Sequence, residues 1–215
     1  NSNPKNIIFL SWPGLPNYNK KFHLTQNLIL YIKLLERLIN TGTKKVVFAG
    51  TCYEYGIQNG QLKEDQLTDP INLYAIAKDC LRRTVRNICE SSGVDWCWLR
   101  IFYPYGEGQN PNSILPSLEE SIKRKKPFFE MSSGKQIRDF ISVDKVAKDL
   151  LKLSKSSKAY GIYNSGSGNP ISLLELVQKK ITESNSDISI KKGVFPDRDD
   201  EPIAFWGDIS KINKL

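Results

Sequence analysis

Short apolar runs alternate with longer segments of helical periodicity along this 215-residue chain, and that alternation constrains the fold more than any other feature. The apolar runs predict buried strands at Asn6–Leu10, Lys45–Ala49 and Asp95–Phe102, and the periodic segments predict helices at Phe22–Ile39 and Tyr74–Ser91. Strands that alternate with helices of this length are typical of a parallel sheet with helices on both faces. The sequence therefore predicts an α/β fold built on a doubly wound parallel sheet.

The second half of the chain has shorter and more polar elements. Its patterns predict helices over 112–125, 143–154 and 172–181 and short strands over 160–164 and 188–190. The segment 52–72 contains glycine and proline and is predicted to be a polar loop.

Two parts of the fold are expected to interleave. Residues 1–110 and 135–165 would form the sheet domain, and residues 111–134 and 166–215 would form a smaller lobe packed on it. No clean linker separates the two parts, so we expect one continuous body rather than two beads.

Composition narrows the classes of function. The sequence has no run of 18 apolar residues, so we expect no membrane span, and no basic-then-apolar leader opens it. The four cysteines lack paired C-x-x-C spacing and are expected to be reduced thiols in the cytoplasm. With a single histidine, His23, we expect no metal site, and His23 itself is interpreted as a packing or surface residue.

The formal net charge is +8, and the densest basic run is Lys123–Lys126 at the end of a predicted helix. The first interpretation is a solvated helix end, where the helix dipole favours cations. The second is attraction for an anionic substrate that carries phosphate. No recognition motif accompanies the charge, so we expect no nucleic-acid partner.

Thr51, Tyr74 and Lys78 together suggest proton-transfer chemistry. Thr51 follows the apolar run Val46–Ala49, and Tyr74 and Lys78 lie four residues apart on one face of a predicted helix. A free tyrosine has a pKa of about 10, and a nearby ammonium lowers it. We therefore expect Tyr74 to exchange a proton with a carbonyl or alcohol oxygen, with Thr51 hydrogen-bonded to the same oxygen. The alternative is a chance Y-x-x-x-K on an exposed helix.

Six different short motifs occur in order along nearly the whole chain. They occupy Gly50–Gly56, Tyr74–Lys78, Leu99–Gly106, Gln136–Ile141, Gly161–Gly168 and Glu201–Lys211. On these motifs the chain resembles the extended short-chain dehydrogenase/reductases, the group of nucleotide-sugar epimerases, dehydratases and reductases. The resemblance implies a Rossmann-like sheet domain that binds NAD or NADP, a lobe that binds a nucleotide sugar, and a homodimer formed through helices 22–39 and 74–91.

The resemblance also implies roles for individual residues. Thr51, Tyr74 and Lys78 would be the catalytic residues. Cofactor contacts would come from Leu10, Ser11, Trp12 and Lys78. Substrate contacts would come from Tyr103, Arg138 and Arg198. The guanidinium groups of the two arginines suit phosphate oxygens.

A glycine-rich turn for the cofactor pyrophosphate is expected early in this fold. By the resemblance the chain begins near the fourth strand of the cofactor domain, so the N-terminal strands and that turn are expected to be missing. The similar segment Gly166–Gly168 lacks a third glycine and is interpreted as an ordinary turn.

Departures from the family pattern limit the reaction. Dehydratases of this group place Asp-Glu directly after the catalytic threonine, whereas this chain has Cys52 and Tyr53. The residues in these motifs are most similar to those in reductases of nucleotide-linked 4-keto-6-deoxysugars. A 4-epimerase, or a non-catalytic relative that binds nucleotide sugars, remains an alternative. Glu54 either reaches the site or is a solvated loop carboxylate.

Overall fold

Twelve strands and six α-helices are assigned in the computed structural model, which describes residues 4–197 and 201–215. The strands are β1 Asn6–Phe9, β2 Lys45–Thr51, β3 Gly60–Leu62, β4 Asp95–Ile101, β5 Tyr103–Tyr105, β6 Phe128–Glu130, β7 Ile137–Arg138, β8 Phe140–Ser142, β9 Gly161–Ser165, β10 Ile171–Ser172, β11 Ser189–Lys191 and β12 Phe205–Gly207. The helices are α1 Ile29–Asn40, α2 Leu73–Ser92, α3 Ile114–Lys123, α4 Val143–Lys155, α5 Leu173–Glu183 and α6 Ser210–Asn213. A π-helical turn, His23–Leu28, precedes α1, and a 3₁₀ turn, Cys52–Tyr55, follows β2.

A four-stranded parallel sheet in the order β1-β2-β4-β9 forms the centre of the fold. Both faces of β2 are buried because its side chains alternate between two helical layers. Phe48 packs with α1 and α2, whereas Val47 packs with α4. The predicted doubly wound parallel sheet is confirmed.

The strand β2 continues beyond its predicted end at Ala49 and finishes at Thr51. In contrast, β1 ends at Phe9, so Leu10 already belongs to the loop that follows. The predicted helix Phe22–Ile39 is present as the π-helical turn joined to α1.

Part of the predicted loop 52–72 is wrong. Residues Gly60–Leu62 form β3, which pairs in parallel with β12 near the end of the chain. A three-residue strand of this kind depends on a partner about 145 residues away, and no local pattern predicts that pairing.

The smaller elements form a second cluster. Parallel strands β6 and β11 lie beside α3 and α5, and Leu118, Phe129 and Val177 are buried between them. Short pairs β5-β8 and β7-β10 link this cluster to the central sheet. The assignment of residues 111–134 and 166–215 to a separate lobe stays a prediction.

No helix in the described part of the chain is both long enough and apolar enough to cross a membrane.

Asn164 joins the central sheet to β3. Its side chain is fully buried, its Oδ1 accepts a 2.7 Å hydrogen bond from Tyr55 OH, and its Nδ2 donates to Leu62 O at 2.9 Å. The amide therefore makes one buried hydrogen bond as acceptor and one as donor, and it ties β9 to the 3₁₀ turn and to β3.

We expect Asn164→Ala to destabilise the protein by about 1–3 kcal/mol, because two buried hydrogen bonds are lost together. Urea unfolding at constant pH measures the change. Asn169→Ala is the matched control, since Asn169 is exposed, and it should stay within about 0.5 kcal/mol of the parent. Equal stability of the two variants would contradict the role of Asn164.

Candidate active site

The side chains of Thr51 and Tyr74 meet at the carboxyl end of β2. Both residues are buried, and the Thr51 hydroxyl lies close enough to the Tyr74 phenol to act on its pKa. Tyr74 is held in place because its main-chain N–H donates to the Tyr18 carbonyl at 2.9 Å. The helix that carries it, α2, is capped at its N-terminus by Asn72, whose side chain accepts from the Ala75 N–H at 2.9 Å.

Lys78 lies one helical turn after Tyr74 and reaches the same end of β2. Its Nζ donates to the Ala49 carbonyl at 2.7 Å and lies 4.2 Å from the centroid of the Trp12 ring. The structure therefore brings together the three residues predicted to be catalytic, at the edge of a parallel sheet where α/β proteins bind ligands. Their catalytic roles stay a prediction.

The pKa values differ from the sequence-based expectation. Burial raises the pKa of the Tyr74 phenol well above its usual range, the Thr51 hydroxyl opposes that shift, and the Glu54 carboxylate adds to it. Burial lowers the pKa of Lys78 to about 7, and Glu54 opposes that shift. We expected the Lys78 ammonium to lower the Tyr74 pKa, but burial dominates the shift, and the largest further contributions come from Thr51 and Glu54. Because its pKa is raised in this buried environment, the Tyr74 phenol is neutral at pH 7.

Glu54 is a buried structural anion rather than a solvated loop carboxylate, so that interpretation is wrong. Its carboxylate accepts hydrogen bonds from Thr51 N at 3.0 Å, Trp98 Nε1 at 2.8 Å and Arg100 Nε at 2.9 Å. Arg82 lies 3.6 Å from the same carboxylate. Thr51 and Glu54 form a capping box on the 3₁₀ turn. The spacing Thr-x-x-Glu was visible in the sequence and could have predicted it.

The loop after β1 lies beside Lys78. Leu10 is exposed, and the Ser11 Oγ is 2.7 Å from Tyr31 OH. The Trp12 Nε1 donates to His23 Nδ1 at 3.1 Å, which fixes the indole over Lys78. Exposed backbone beside Lys78 suits the nicotinamide end of a dinucleotide, so these residues fit the predicted cofactor contacts. Those contacts stay a prediction.

His23 has a packing role. It is fully buried, and its Nε2 lies 2.9 Å from the Asn17 carbonyl while its Nδ1 accepts from Trp12. The tautomer with hydrogen on Nε2 satisfies both contacts. Asn27 supports the same loop by donating to the Pro13 carbonyl at 3.0 Å.

Tyr103 and Arg138, two residues predicted to bind substrate, contact each other. Arg138 is 2% exposed and donates from Nε to Tyr103 OH at 2.9 Å. Its Nη2 forms a 2.9 Å ion pair with Glu201, and its Nη1 donates to the carbonyls of Ile137 and Ile203. This guanidinium is therefore already engaged with protein acceptors. Arg198, the third predicted substrate residue, lies outside the described residues.

The Gly166–Gly168 segment packs against a carboxylate. A Cβ on Gly166 would lie 2.2 Å from Asp139 Oδ2, and Asp139 Oδ1 accepts 2.6 Å hydrogen bonds from Ser167 N and Ser167 Oγ. The segment leads into β10 rather than directly into a helix. It is an ordinary turn, as interpreted from the sequence.

Two cavities lie away from these residues. One, of about 520 Å³, borders α3 and is lined by Arg124 and Lys126 from the basic run. The other, of about 580 Å³, lies beside Trp96 and Tyr160. The basic run itself is exposed at the end of α3, as a solvated helix end would be.

Comparison with known proteins identifies the family. The model of the NAD dependent epimerase/dehydratase family matches residues 15–166. The chain belongs to this family. The family supports the expected enzyme class and agrees with the Rossmann-like sheet described above.

Two curated relatives represent two reactions. The chain is 31% identical over 209 residues to dTDP-6-deoxy-L-talose 4-dehydrogenase (NAD(+)) from Aggregatibacter actinomycetemcomitans, covering 95% of this chain and 76% of that protein. It is 29% identical over 199 residues to UDP-glucuronate 4-epimerase from Thermodesulfobacterium geofontis, covering 92% of this chain and 61% of that protein. The chain thus spans less than two thirds of the second relative.

A solved structure has the same fold. UDP-N-acetylglucosamine 4-epimerase from Methanobrevibacter ruminantium M1, in complex with UDP-N-acetylmuramic acid, superposes with a TM-score of 0.87 at 27% identity. The match covers 98% of this chain and 69% of that one.

The lowered pKa of Lys78 makes stability depend on pH. Between its folded pKa of about 7 and the ordinary lysine pKa of 10.5, the unfolded chain holds a proton that the folded chain lacks. The stability of the parent therefore rises as pH increases through this window. Lys78→Met removes the titration, so the stability of the variant relative to the parent should fall by about 1 kcal/mol per pH unit from pH 7 to 9.5.

Urea unfolding of the parent and Lys78→Met at several pH values measures this trend. Lys158→Met is the matched control, because Lys158 is exposed and should show no such slope. A difference between Lys78→Met and the parent that stays constant with pH would mean that the folded protein keeps Lys78 protonated.

Proposed function

We propose that the protein is an NAD(P)-dependent oxidoreductase that acts at C4 of a nucleotide-linked 4-keto-6-deoxysugar. The observation that carries the proposal is the convergence of Thr51 and Tyr74 at the end of β2, with Lys78 directed to the same edge. Similarity to dTDP-6-deoxy-L-talose 4-dehydrogenase (NAD(+)) supports the choice of substrate.

Tyr74 is proposed as the general acid. Because burial raises its pKa, the phenol holds its proton at neutral pH and can donate it to a ketone oxygen that is being reduced. Thr51 Oγ1 would donate a hydrogen bond to the same oxygen and orient it. The bound nicotinamide cofactor, NAD or NADP, supplies the hydride.

Lys78 is proposed to serve both the cofactor and the acid. Its pKa of about 7 leaves Nζ partly protonated at neutral pH, so it can carry positive charge beside the site. Leu10, Ser11 and Trp12 would complete the contacts at the nicotinamide end, where the loop after β1 passes Lys78.

Substrate binding is proposed for Tyr103, Arg138 and Arg198. Tyr103 is partly exposed and is hydrogen-bonded to Arg138, so the pair forms one unit. In that unit the guanidinium orients the tyrosine and balances the charge of Glu201. Arg198 is included on family resemblance.

A nucleotide-sugar 4-epimerase is the second candidate, favoured by similarity to UDP-glucuronate 4-epimerase. An epimerase needs the same acid to work in both directions and retains its cofactor through the cycle. A neutral Tyr74 is ready for reduction, whereas alcohol oxidation requires its phenolate. The third candidate is a non-catalytic protein that binds nucleotide sugars. Release of oxidised cofactor during turnover separates the first candidate from the other two.

We also propose a homodimer in the cytoplasm. Leu30 and Leu34 lie one turn apart on α1 and are 58% and 38% exposed, which favours burial against a second copy. The four free cysteines support the location. Sedimentation equilibrium should give the mass of two chains, and a monomer mass would contradict the dimer.

We expect Tyr74→Phe to lower kcat for reduction of a nucleotide-linked 4-keto-6-deoxysugar by about 10²- to 10⁴-fold, because the variant lacks the proton donor. Oxidation of NADH or NADPH followed at 340 nm measures turnover, and titration calorimetry measures binding of the nucleotide sugar, which should survive. Tyr160→Phe is the matched control, because Tyr160 lines the cavity beside Trp96, away from Tyr74.

Two results would contradict this assignment. Turnover by Tyr74→Phe at the parent rate would remove Tyr74 from the chemistry. Binding without turnover in the parent, tested with both cofactors, would favour the non-catalytic candidate.

A further inference from the structure

Three tyrosine side chains extend from Tyr74 in a continuous row. The Tyr18 ring lies 5.7 Å from Tyr74 and 5.5 Å from Tyr53, and the Tyr53 ring lies 6.2 Å from Tyr103, measured between centroids. The two contacts of Tyr53 are edge-to-face, a favourable geometry for aromatic pairs. We name Tyr18, Tyr53 and Tyr103 the aromatic wall.

Each end of the aromatic wall is anchored to a residue of the site. At one end, the Tyr18 carbonyl accepts from the Tyr74 main-chain N–H at 2.9 Å, and in the middle the Tyr53 main-chain N–H donates to Thr51 Oγ1 at 3.3 Å. At the other end, Tyr103 OH accepts from Arg138 Nε at 2.9 Å. The aromatic wall therefore spans the space between the proposed acid and the Arg138–Glu201 ion pair.

The aromatic wall offers neutral ring surface. Tyr18, Tyr53 and Tyr103 are each partly exposed, whereas Tyr74 is buried. Burial raises the pKa values of Tyr53 and Tyr103, so both phenols are uncharged at neutral pH. The Tyr103 hydroxyl already accepts from Arg138 Nε, and the Tyr53 and Tyr103 rings meet edge to face, which leaves ring carbons as the main contact surface for a ligand.

The proximity of Tyr53 to Thr51 indicates which part of the sugar lies beside the Tyr53 ring. A ketone at C4 that contacts Thr51 and Tyr74 places C5 and its substituent C6 on the neighbouring edge of the pyranose ring. Tyr53 follows Thr51 by two residues, on the 3₁₀ turn that leaves β2. Tyr53 is therefore the wall residue tied to Thr51, whereas Tyr18 is the one that contacts Tyr74.

Ring carbons discriminate between substituents at C6. A methyl group gains from contact with aromatic surface, because apolar area is removed from water. A carboxylate loses hydration there, and it recovers that cost only when a cation pairs with it. The cation described at the wall, Arg138, already pairs with Glu201 at 2.9 Å.

Resting on the C4 oxidoreductase function proposed above, we propose that the aromatic wall receives the C5–C6 edge of the sugar and that Tyr53 selects a methyl group over a carboxylate at C6. The substrate class is then nucleotide-linked 6-deoxyhexoses, with nucleotide-linked hexuronates rejected.

The test compares nucleoside-diphosphate 6-deoxyhexose and hexuronate that share the base and differ at C6. The parent should have the higher kcat/KM on the 6-deoxyhexose. Tyr53→Ala should lower that value by about tenfold, since an aromatic contact is lost, and leave the hexuronate value nearly unchanged. Tyr53→Phe keeps the ring and should keep the parent ratio between the two substrates. Tyr160→Ala, outside the aromatic wall, should keep both values.

Two kinetic outcomes overturn the proposal. One is a parent preference for the hexuronate. The other is an equal loss on both substrates in Tyr53→Ala, which would mean that Tyr53 only supports the fold.

A binding readout keeps this proposal separate from the function on which it rests. Saturation-transfer NMR, with the aromatic protons irradiated, should label the C6 methyl protons in the parent and label them much less in Tyr53→Ala. Methyl labelling without turnover would refute the oxidoreductase and leave the aromatic wall standing. Turnover with no methyl labelling, or no binding of either sugar nucleotide, would refute the aromatic wall.

Discussion

The parallel pairing of β2 with β4 is the constraint on which the rest of the structure depends. The pairing aligns Lys45 through Thr51 with Asp95 through Ile101, and both strands are covered by helices on both faces. Since the two strands run in the same direction, their carboxyl ends meet at one edge. Thr51 is delivered there as the last residue of β2, and Arg100 reaches the adjoining turn from β4.

The Glu54 carboxylate then converts this edge into a defined geometry. It fixes the Thr51 main chain and binds Trp98 and Arg100 from the neighbouring strand, all within a buried region. A buried anion is tolerated only when donors surround it, and here the donors come from both strands of the pair. The same charge adds to the upward shift of the Tyr74 pKa and opposes the downward shift of the Lys78 pKa. Support of the fold and tuning of the site therefore reside in one side chain.

The sequence predicted those features that depend on local pattern. The buried strands, the long helices and the convergence of Tyr74 and Lys78 on the end of β2 follow from hydrophobic periodicity and the i, i+4 spacing. The π-helical turn before α1 did not follow, because the apolar spacing of a helix does not reveal a local change in hydrogen-bond register.

Features that depend on distant partners were not predictable in the same way. Strand β3 forms because β12 pairs with it. Arg138 pairs with Glu201, which lies 63 residues further along the chain. The direction of the Tyr74 pKa shift was also missed. Sequence spacing shows that an amine can be near the phenol, but only the packing shows how much water has been excluded from it.

The turn at Gly166 shows that a glycine-rich turn need not bind an anion. Its absent side chain makes room for the Asp139 carboxylate, which binds the Ser167 N–H that an anionic ligand would otherwise seek. A pyrophosphate brought to this turn would meet a fixed negative charge of its own sign. Two turns with the same small residues can thus have opposite electrostatic character, one a cradle for anions and the other a barrier to them.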